Sequence, residues 1–268
     1  MSETPGTPER RVALVTGASS GIGYELCKLF ATDRTDLVIV ARNTERLSKV
    51  AEELSSATGI CVTTMGVDLA DPAGPGEVWR RVREAGLTVE FLVNNAGFGS
   101  FGPFAASDTQ TSLNLLQVNI HALTHLTALF LPGMVERGSG RIMNVASTAA
   151  FQAGPLMSTY YASKAYVLHF SEAIAEELEG KGVSVTALCP GVTITEFHSR
   201  ANMETSGLVA GRHLMTAEAV ARIGYQGMMR GRTLVIPGLT NKLLTLVVRL
   251  APRKMITRFV HRMQEDRG

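Results

Sequence analysis

Residues 12–30, VALVTGASSGIGYELCKLF, decide the fold. Five residues rich in β-branched and apolar types read as a buried strand, glycines follow at 17, 21 and 23, and a helical pattern begins at once. This is a strand, a tight turn and a helix N-terminus. Glycine lets backbone come close to a pyrophosphate, and the N–H groups and dipole at a helix start favour negative charge. The spacing is GxxxGxG rather than the GxGxxG of the general dinucleotide fingerprint. A merely flexible turn is the alternative, and the strand before it and the helix after it argue against that.

Outward from this unit, seven apolar runs alternate with helical patterns, near 12–16, 36–41, 60–67, 90–94, 140–146, 183–188 and 233–236. That alternation implies an α/β fold, a parallel sheet with helices on both faces. A chain of 268 residues, 28.7 kDa and 45% hydrophobic can bury one substantial core, so no second domain is needed. There is no internal repeat and no low-complexity linker. The start, MSETPGTPERR, is polar and lacks an apolar signal region, so residues 1–10 are expected to be disordered. Even HALTHLTALFLPGMV is interrupted by His, Pro and Gly, so no membrane-spanning run is expected and a cytoplasmic location follows. Cys27, Cys61 and Cys189 fall in a predicted helix and two predicted strands without CxxC spacing, and read as buried free thiols.

The chemistry is concentrated in TYYASKAYVLHFSEAIAEEL, residues 159–178, where Tyr160 and Lys164 stand four apart on one helical face, with Ser147 thirteen residues before Tyr160. A phenol, an ammonium and a hydroxyl so placed can hand a proton to a carbonyl. A tyrosine titrates near ~10 in isolation, and an adjacent ammonium is expected to lower that value toward the working pH. An isolated YxxxK is weak evidence; the company it keeps changes its meaning.

With TGASSGIG at 16–23, NNAG at 94–97, Asn119 in LLQVNIHAL, Ser147 in NVAST, the Tyr160–Lys164 pair and PGVTIT at 190–195, the chain resembles the short-chain dehydrogenase/reductase family over about residues 11–240. ARNTERL and the tail IPGLTNKLLTLVVRLAPRK are similar to its bacterial, broad-specificity NADP-dependent reductase branch. The resemblance implies a doubly wound Rossmann fold, a single sheet in the order 3-2-1-4-5-6-7, and a ligand at the carboxyl ends of the strands where that order reverses. It also implies that Tyr160 is the proton donor and acceptor, Ser147 holds the substrate oxygen, Lys164 binds the nicotinamide ribose, and Asn119 supports a water-linked proton relay. Tyr161, beside the proposed acid, is three residues from Lys164 rather than four.

The implied nucleotide contacts are Gly17, Ser19, Ser20, Gly21, Ile22 and Gly23 in the turn, Asp68 and Leu69 after the third strand, Asn95, Ala96 and Gly97, then Tyr160, Lys164, Pro190, Gly191, Thr193 and Thr195. An NAD-selective site places Asp or Glu at the end of the second strand, whereas a 2′-phosphate needs that acid absent and a cation present. Here DLVIVAR puts Ala41 and then Arg42 there, so NADP(H) is expected. The alternative is that Arg42 only decorates a loop.

On the substrate side, Phe98, Phe101, Phe104, Phe151, Met157, Phe197, Met203 and Leu208 are candidates for an apolar pocket, with a lid over about 196–214. The reaction expected is hydride transfer from NADPH to a ketone or aldehyde of a hydrophobic small molecule, or the reverse. A non-catalytic nucleotide sensor and a sugar-nucleotide epimerase remain as other readings. The sensor needs none of the four catalytic residues, and the epimerase needs a longer C-terminal domain. His121 and His125 have i, i+4 zinc spacing but no third ligand is apparent, so no metal is expected. No nucleic-acid partner is expected, and a homodimer or homotetramer through helices near 108–137 and 158–180 is. The tail, 241–268, carries seven Lys or Arg against two acids, while the rest of the chain sums to −3. Its apolar residues recur at helical spacing on both sides of Pro252, giving two short basic amphipathic helices. They either pack over the substrate entrance or a partner subunit, the reading favoured here, or lie on an anionic membrane.

Overall fold

The computed structural model describes residues 11–194 and 214–265. Residues 1–10, Thr195, Phe197, Met203, Leu208 and all of the expected lid except Leu214 lie outside them. The strands are β1 (Arg11–Thr16), β2 (Asp36–Ala41), β3 (Val62–Gly66), β4 (Thr88–Asn94), β5 (Gly140–Val145), β6 (Val183–Leu188), β7 (Thr193–Ile194), β8 (Met215–Thr216) and β9 (Leu234–Val235). Seven of them form one parallel sheet in the order β3-β2-β1-β4-β5-β6-β9, and β7 and β8 form a small pair of their own. With that pair set aside, the order is the 3-2-1-4-5-6-7 expected from sequence.

The helices are α1 (Gly21–Thr32), α2 (Thr44–Thr58), α3 (Gly74–Glu84), α4 (Thr109–Leu116), α5 (Leu123–Arg137), α6 (Ser158–Glu177), α7 (Ala217–Met229), α8 (Leu239–Leu250) and α9 (Arg253–Gln264). Alternation along β1 sorts them into layers. Ala13 and Val15 share one apolar cluster with Leu26 of α1, Leu47 of α2 and Val220 of α7, while Val12 and Leu14 share another with Val78 of α3, Leu126 of α5 and Ile174 of α6. Both faces are dry, which is why the strands read as continuous apolar runs instead of alternating ones. Truncating a fully buried residue such as Leu14 to Ala would cost roughly 2–5 kcal/mol.

Local sequence signals set the helix ends. Asn43 caps α2 by accepting from Arg46 N at 2.9 Å, and Gly59, at φ +75°, ends that helix in the left-handed region. Between α4 and α5 the backbone widens into a π turn over Gln117–Ala122. The helix is thereby continuous from Thr109 to Arg137, long and apolar enough by length and composition to cross a membrane, contrary to the sequence reading. Leu126, Phe130 and Met134 pack it against the sheet, so its apolarity includes a core face. Cys27 and Cys189 are buried, but Cys61, just before β3, is exposed, which corrects the expectation of three buried thiols.

One polar chain crosses this core. Asn94 and Asn144 are register partners on β4 and β5, and Asn94 Nδ2 donates to Asn144 Oδ1 at 2.9 Å and to Thr127 Oγ1 on α5 at 3.1 Å. Asn144 Nδ2 donates to Ser171 Oγ on α6 at 2.9 Å. All four residues are fully buried.

Candidate active site

The carboxyl ends of β1, β4, β5 and β6 open into a cavity of about 1390 Å³. At its nucleotide-like end lies the glycine turn. Gly17 and Gly21 have φ of +65° and +58°, so only glycine adopts this backbone without strain. A Cβ on Gly23 would lie 2.4 Å from both Gly17 O and Asn95 Nδ2, so its hydrogen lets α1 close against the turn. The turn is clasped from β4: Asn95 Nδ2 donates to Thr16 O and Gly17 O at 2.9 and 3.1 Å, and Asn95 N and Ala96 N donate to Thr16 Oγ1 at 3.1 and 3.0 Å. Ser20, the N-cap of α1, makes no side-chain cap, and the first turn carries no acid. An anion bound there would meet backbone N–H groups and the positive end of the helix dipole.

Gly17, Ser19, Ser20, Gly21, Ile22, Asn95, Ala96, Gly97, Pro190, Gly191 and Thr193 line the cavity; Gly23 and Asn119 brace it from behind. At the end of β2 the lining is Ala41, Arg42, Asn43 and Arg46, and after β3 it is Val67 and Leu69. Asp68 is exposed, accepts from Ala70 N at 3.0 Å and is not part of the lining. Arg46 escaped the sequence reading. Its signal was present in ARNTER, where the Asn43 cap starts α2 so that a second arginine follows Arg42 by about one helical turn.

At the centre Tyr160 and Ser147 share a side-chain hydrogen bond. Ser147 stands at the N-cap of a 3-10 turn, Thr148–Phe151, where its Oγ accepts from Ala149 N at 3.1 Å. Lys164 is fully buried on α6; its Nζ donates to Val145 O at 2.7 Å and lies 5.8 Å from the Tyr160 ring centroid. Burial pushes Lys164 down to about 8. It pushes Tyr160 well above the ordinary phenol value, with the Ser147 bond pulling the other way. The expected lowering of Tyr160 is thus reversed in sign, because desolvation dominates and the Ser147 hydrogen bond only opposes it in part. The phenol is held protonated.

Asn119 sits in the π turn, a distortion that recurs at functional sites. Its Oδ1 accepts from Phe98 N at 3.1 Å, and its Nδ2 donates to Phe98 O at 3.1 Å and to Ser163 Oγ at 3.0 Å, while Ser163 Oγ donates to Tyr160 O at 2.7 Å. Asn119 therefore ties the loop after β4 to the helix bearing Tyr160. A Cβ on Gly97 would lie 2.9 Å from Asn119 Oδ1 and 3.4 Å from Lys164 Nζ, so Gly97 gives the buried lysine its room.

The other end of the cavity is apolar. Phe98 and Met157 line it, and Phe101 packs in a cluster with Met157, Tyr161 and Val260. Phe104 is 67% exposed and Phe151 packs on a separate cluster with Val167 and Leu168, so neither reaches the cavity, unlike the sequence expectation. The rest of this wall comes from the tail, which the sequence reading set over the substrate entrance or a partner subunit: Val247 and Val248 of α8, and Ile256, Phe259, Val260 and Met263 of α9. Gln264 Nε2, fully buried, donates to Tyr161 OH at 2.6 Å, linking the end of α9 to the residue beside Tyr160. The His121 and His125 rings stand 5.7 Å apart in a T, and the described residues contain no group of three or more side chains able to hold a metal.

Such an arrangement can bind a dinucleotide along the strand ends and protonate an oxygen beside it. The model of the short chain dehydrogenase family matches residues 11–206, and the chain belongs to that family. A short chain dehydrogenase of Pseudocercospora fijiensis is 34% identical over 193 residues, 71% of this chain and 62% of that protein. The structure of a short-chain dehydrogenase from Sphingobium yanoikuyae in complex with NADPH is 32% identical, with TM-score 0.80, covering 96% of this chain and 99% of that one. A bulky-bulky ketone specific alcohol dehydrogenase from Comamonas testosteroni is 30% identical, with TM-score 0.76, over 91% and 94% of the two chains. The chain spans between 58% and 63% of the length of the first three curated relatives it matches.

Proposed function

We propose that the protein uses NADPH to reduce the carbonyl of a bulky, hydrophobic ketone or aldehyde, with alcohol oxidation as the reverse. One observation carries this reading: the bonded Ser147–Tyr160 pair, with Lys164 one helical turn on, lies between a backbone-rich, cationic end of the cavity and an apolar one. Bound nicotinamide would supply the hydride. The residues present fit such a nucleotide, since the α1 N-terminus has no competing cap and Gly23 leaves a cradle that a Cβ would fill. Arg42 and Arg46, without a carboxylate at the end of β2, favour the 2′-phosphate of NADP(H) over the bare ribose of NAD.

Tyr160, kept protonated by burial, gives its proton to the substrate oxygen, and Ser147 donates a hydrogen bond to the same oxygen as charge develops on it. Lys164, cationic below about pH 8, stabilises the phenolate left behind. The apolar wall selects the substrate's body. The Comamonas relative's name, with its bulky ketone, supports a substrate of that size. Exposed Leu113 on α4 and Tyr166 on α6 support symmetric assembly through α4–α5 and α6, which light scattering would test.

The decisive assay follows NADPH absorbance with ketones and aldehydes graded in size, with NADH in parallel. Turnover rising with apolar bulk, and faster with NADPH, is expected. Nucleotide binding without consumption across the whole panel would make the protein a sensor, and turnover restricted to small polar carbonyls would refute the substrate class.

A further inference from the structure

The tail helix α8 is inside out. Its inward positions are Asn241, Thr245 and Val248, of which Thr245 is fully buried, whereas Leu239, Leu243, Leu246 and Leu250 form a stripe at i, i+4, i+7 and i+11 that is 83%, 62%, 54% and 80% exposed. An amphipathic helix serving only a protein core would be rotated the other way. Ile256, Val260 and Met263 of α9 and Leu244, Val247 and Val248 of α8 turn to the cavity, and this stripe does not. Met255 and Phe259 of α9, 57% and 59% exposed, add to the same apolar surface. Single exposed leucines need no explanation, but two consecutive helices with eight large exposed apolar side chains do.

Cations flank the stripe. Lys242 and Arg249 lie along one side of α8, seven residues apart, and α9 carries Arg253, Lys254, Arg258 and Arg262, all exposed. Leu244, Val247 and Phe259 are both exposed and part of the cavity lining, so the surface runs without a break into the mouth of the active site. A second copy docking face to face would bring these cations against their own kind, which costs free energy. A neutral apolar partner would leave them unused. The feature that satisfies both the leucine stripe and its cationic border is an anionic lipid surface, into which leucines insert while lysine and arginine meet headgroup phosphates.

We propose that α8 and α9 dock the protein on an anionic membrane leaflet with the cavity mouth facing the lipid, so that a lipid-borne carbonyl enters without crossing water. The substrate half of this proposal rests on the reductase reading above; the docking half does not.

The test is sedimentation of the full chain with sucrose-loaded vesicles of phosphatidylcholine, alone or with phosphatidylglycerol. Binding is expected with the anionic vesicles, weakened by salt, and reduced by about fivefold for each cation removed in Arg253→Gln and Arg258→Gln. Leu243→Ser, Leu246→Ser and Leu250→Ser together should abolish it while thermal unfolding and NADPH binding stay as in the parent, since these side chains are in solvent. No sedimentation with anionic vesicles, or equal sedimentation with neutral ones, overturns the proposal. So does a dimer in light scattering that the three serine substitutions dissociate, because the occupant would then be a second copy. Vesicle binding without turnover of any carbonyl would retain the docking and sink the reductase reading; turnover of soluble and vesicle-dissolved ketones at equal rates would sink delivery from the lipid.

Discussion

The two ends of the cavity are built by different means. The nucleotide end is backbone: glycines at positive φ, a helix start without a side-chain cap, and a clasp from Asn95 and Thr16, all at the ends of β1 and β4 beside each other in the sheet. The apolar end is side chains, and many of them come from two short helices at the far end of the sequence, one of them tied to the centre by a bond between residues 103 apart. The first kind of site admits neither a side chain at its glycines nor displacement; the second can be reshaped residue by residue. The chemistry sits at the junction.

If that division is right, the largest effect belongs to the junction. Tyr160→Phe should lower kcat by roughly 10²–10⁴-fold and leave the NADPH dissociation constant unchanged, because the nucleotide end is mainly backbone. Tyr161→Phe, whose hydroxyl serves Gln264, should keep most activity. Steady-state kinetics with fluorescence titration of the nucleotide checks both, and a dead Tyr161→Phe beside an active Tyr160→Phe would break the assignment.

Next comes the charge at the nucleotide end. Arg42→Ala should weaken NADPH binding about ten- to a hundredfold and NADH binding little, a charge-assisted hydrogen bond being worth roughly 1.5–3 kcal/mol. Arg46→Ala should act in the same direction. Equal loss for both nucleotides would mean that these arginines only hold the loop.

The third test concerns the buried cation. Lys164 has a folded value near 8 against an ordinary 10.5, so between those limits the unfolded chain holds the proton that the folded chain has lost. Unfolding free energy should therefore rise with pH over this window, by about 1 kcal/mol per unit from this group. Lys164→Met removes that contribution, so the difference between the two stability–pH curves, from denaturant titration, should slope by this amount between pH 8 and 10. Parallel curves would show that burial does not lower Lys164 in the folded chain.

The smallest effect is expected at the tail. Gln264→Leu leaves the Tyr161 hydroxyl without its partner and should cost about 1–3 kcal/mol of stability, whereas Gln264→Leu with Tyr161→Phe should recover most of it. KM should move more than kcat. A kcat loss approaching that of Tyr160→Phe would erase the distinction between the two ends.

This division also explains what could be read in advance. The strand–helix alternation, the glycine turn and the Tyr160–Lys164 pair are legible because each is a local pattern, whereas strand order and the role of Ser147 came with the family resemblance; a parallel sheet then brings strand ends together wherever the loops wander. Phe104 and Phe151 were misassigned because nothing local says which way a loop phenylalanine turns. Arg46 was hidden because its direction depends on where α2 begins. The outward leucines of α8 have the same spacing as inward ones, and only the polar Asn241 and Thr245 between them reveal the rotation. The sign of the Tyr160 shift needed burial, which spacing does not report.

Asn94 and Asn95 point opposite ways from the end of β4, one into the core to meet Asn144, the other out to the glycine turn. Ser147 comes three residues beyond Asn144 and two beyond Val145, whose carbonyl holds Lys164. A slip of β5 by one residue would turn Asn144 away and strand amide groups in a dry interior, each at about 1–3 kcal/mol. The asparagine pair thus works as an alignment gauge: it favours the native register of β4 and β5, and with it the distance between nucleotide cradle and serine hydroxyl.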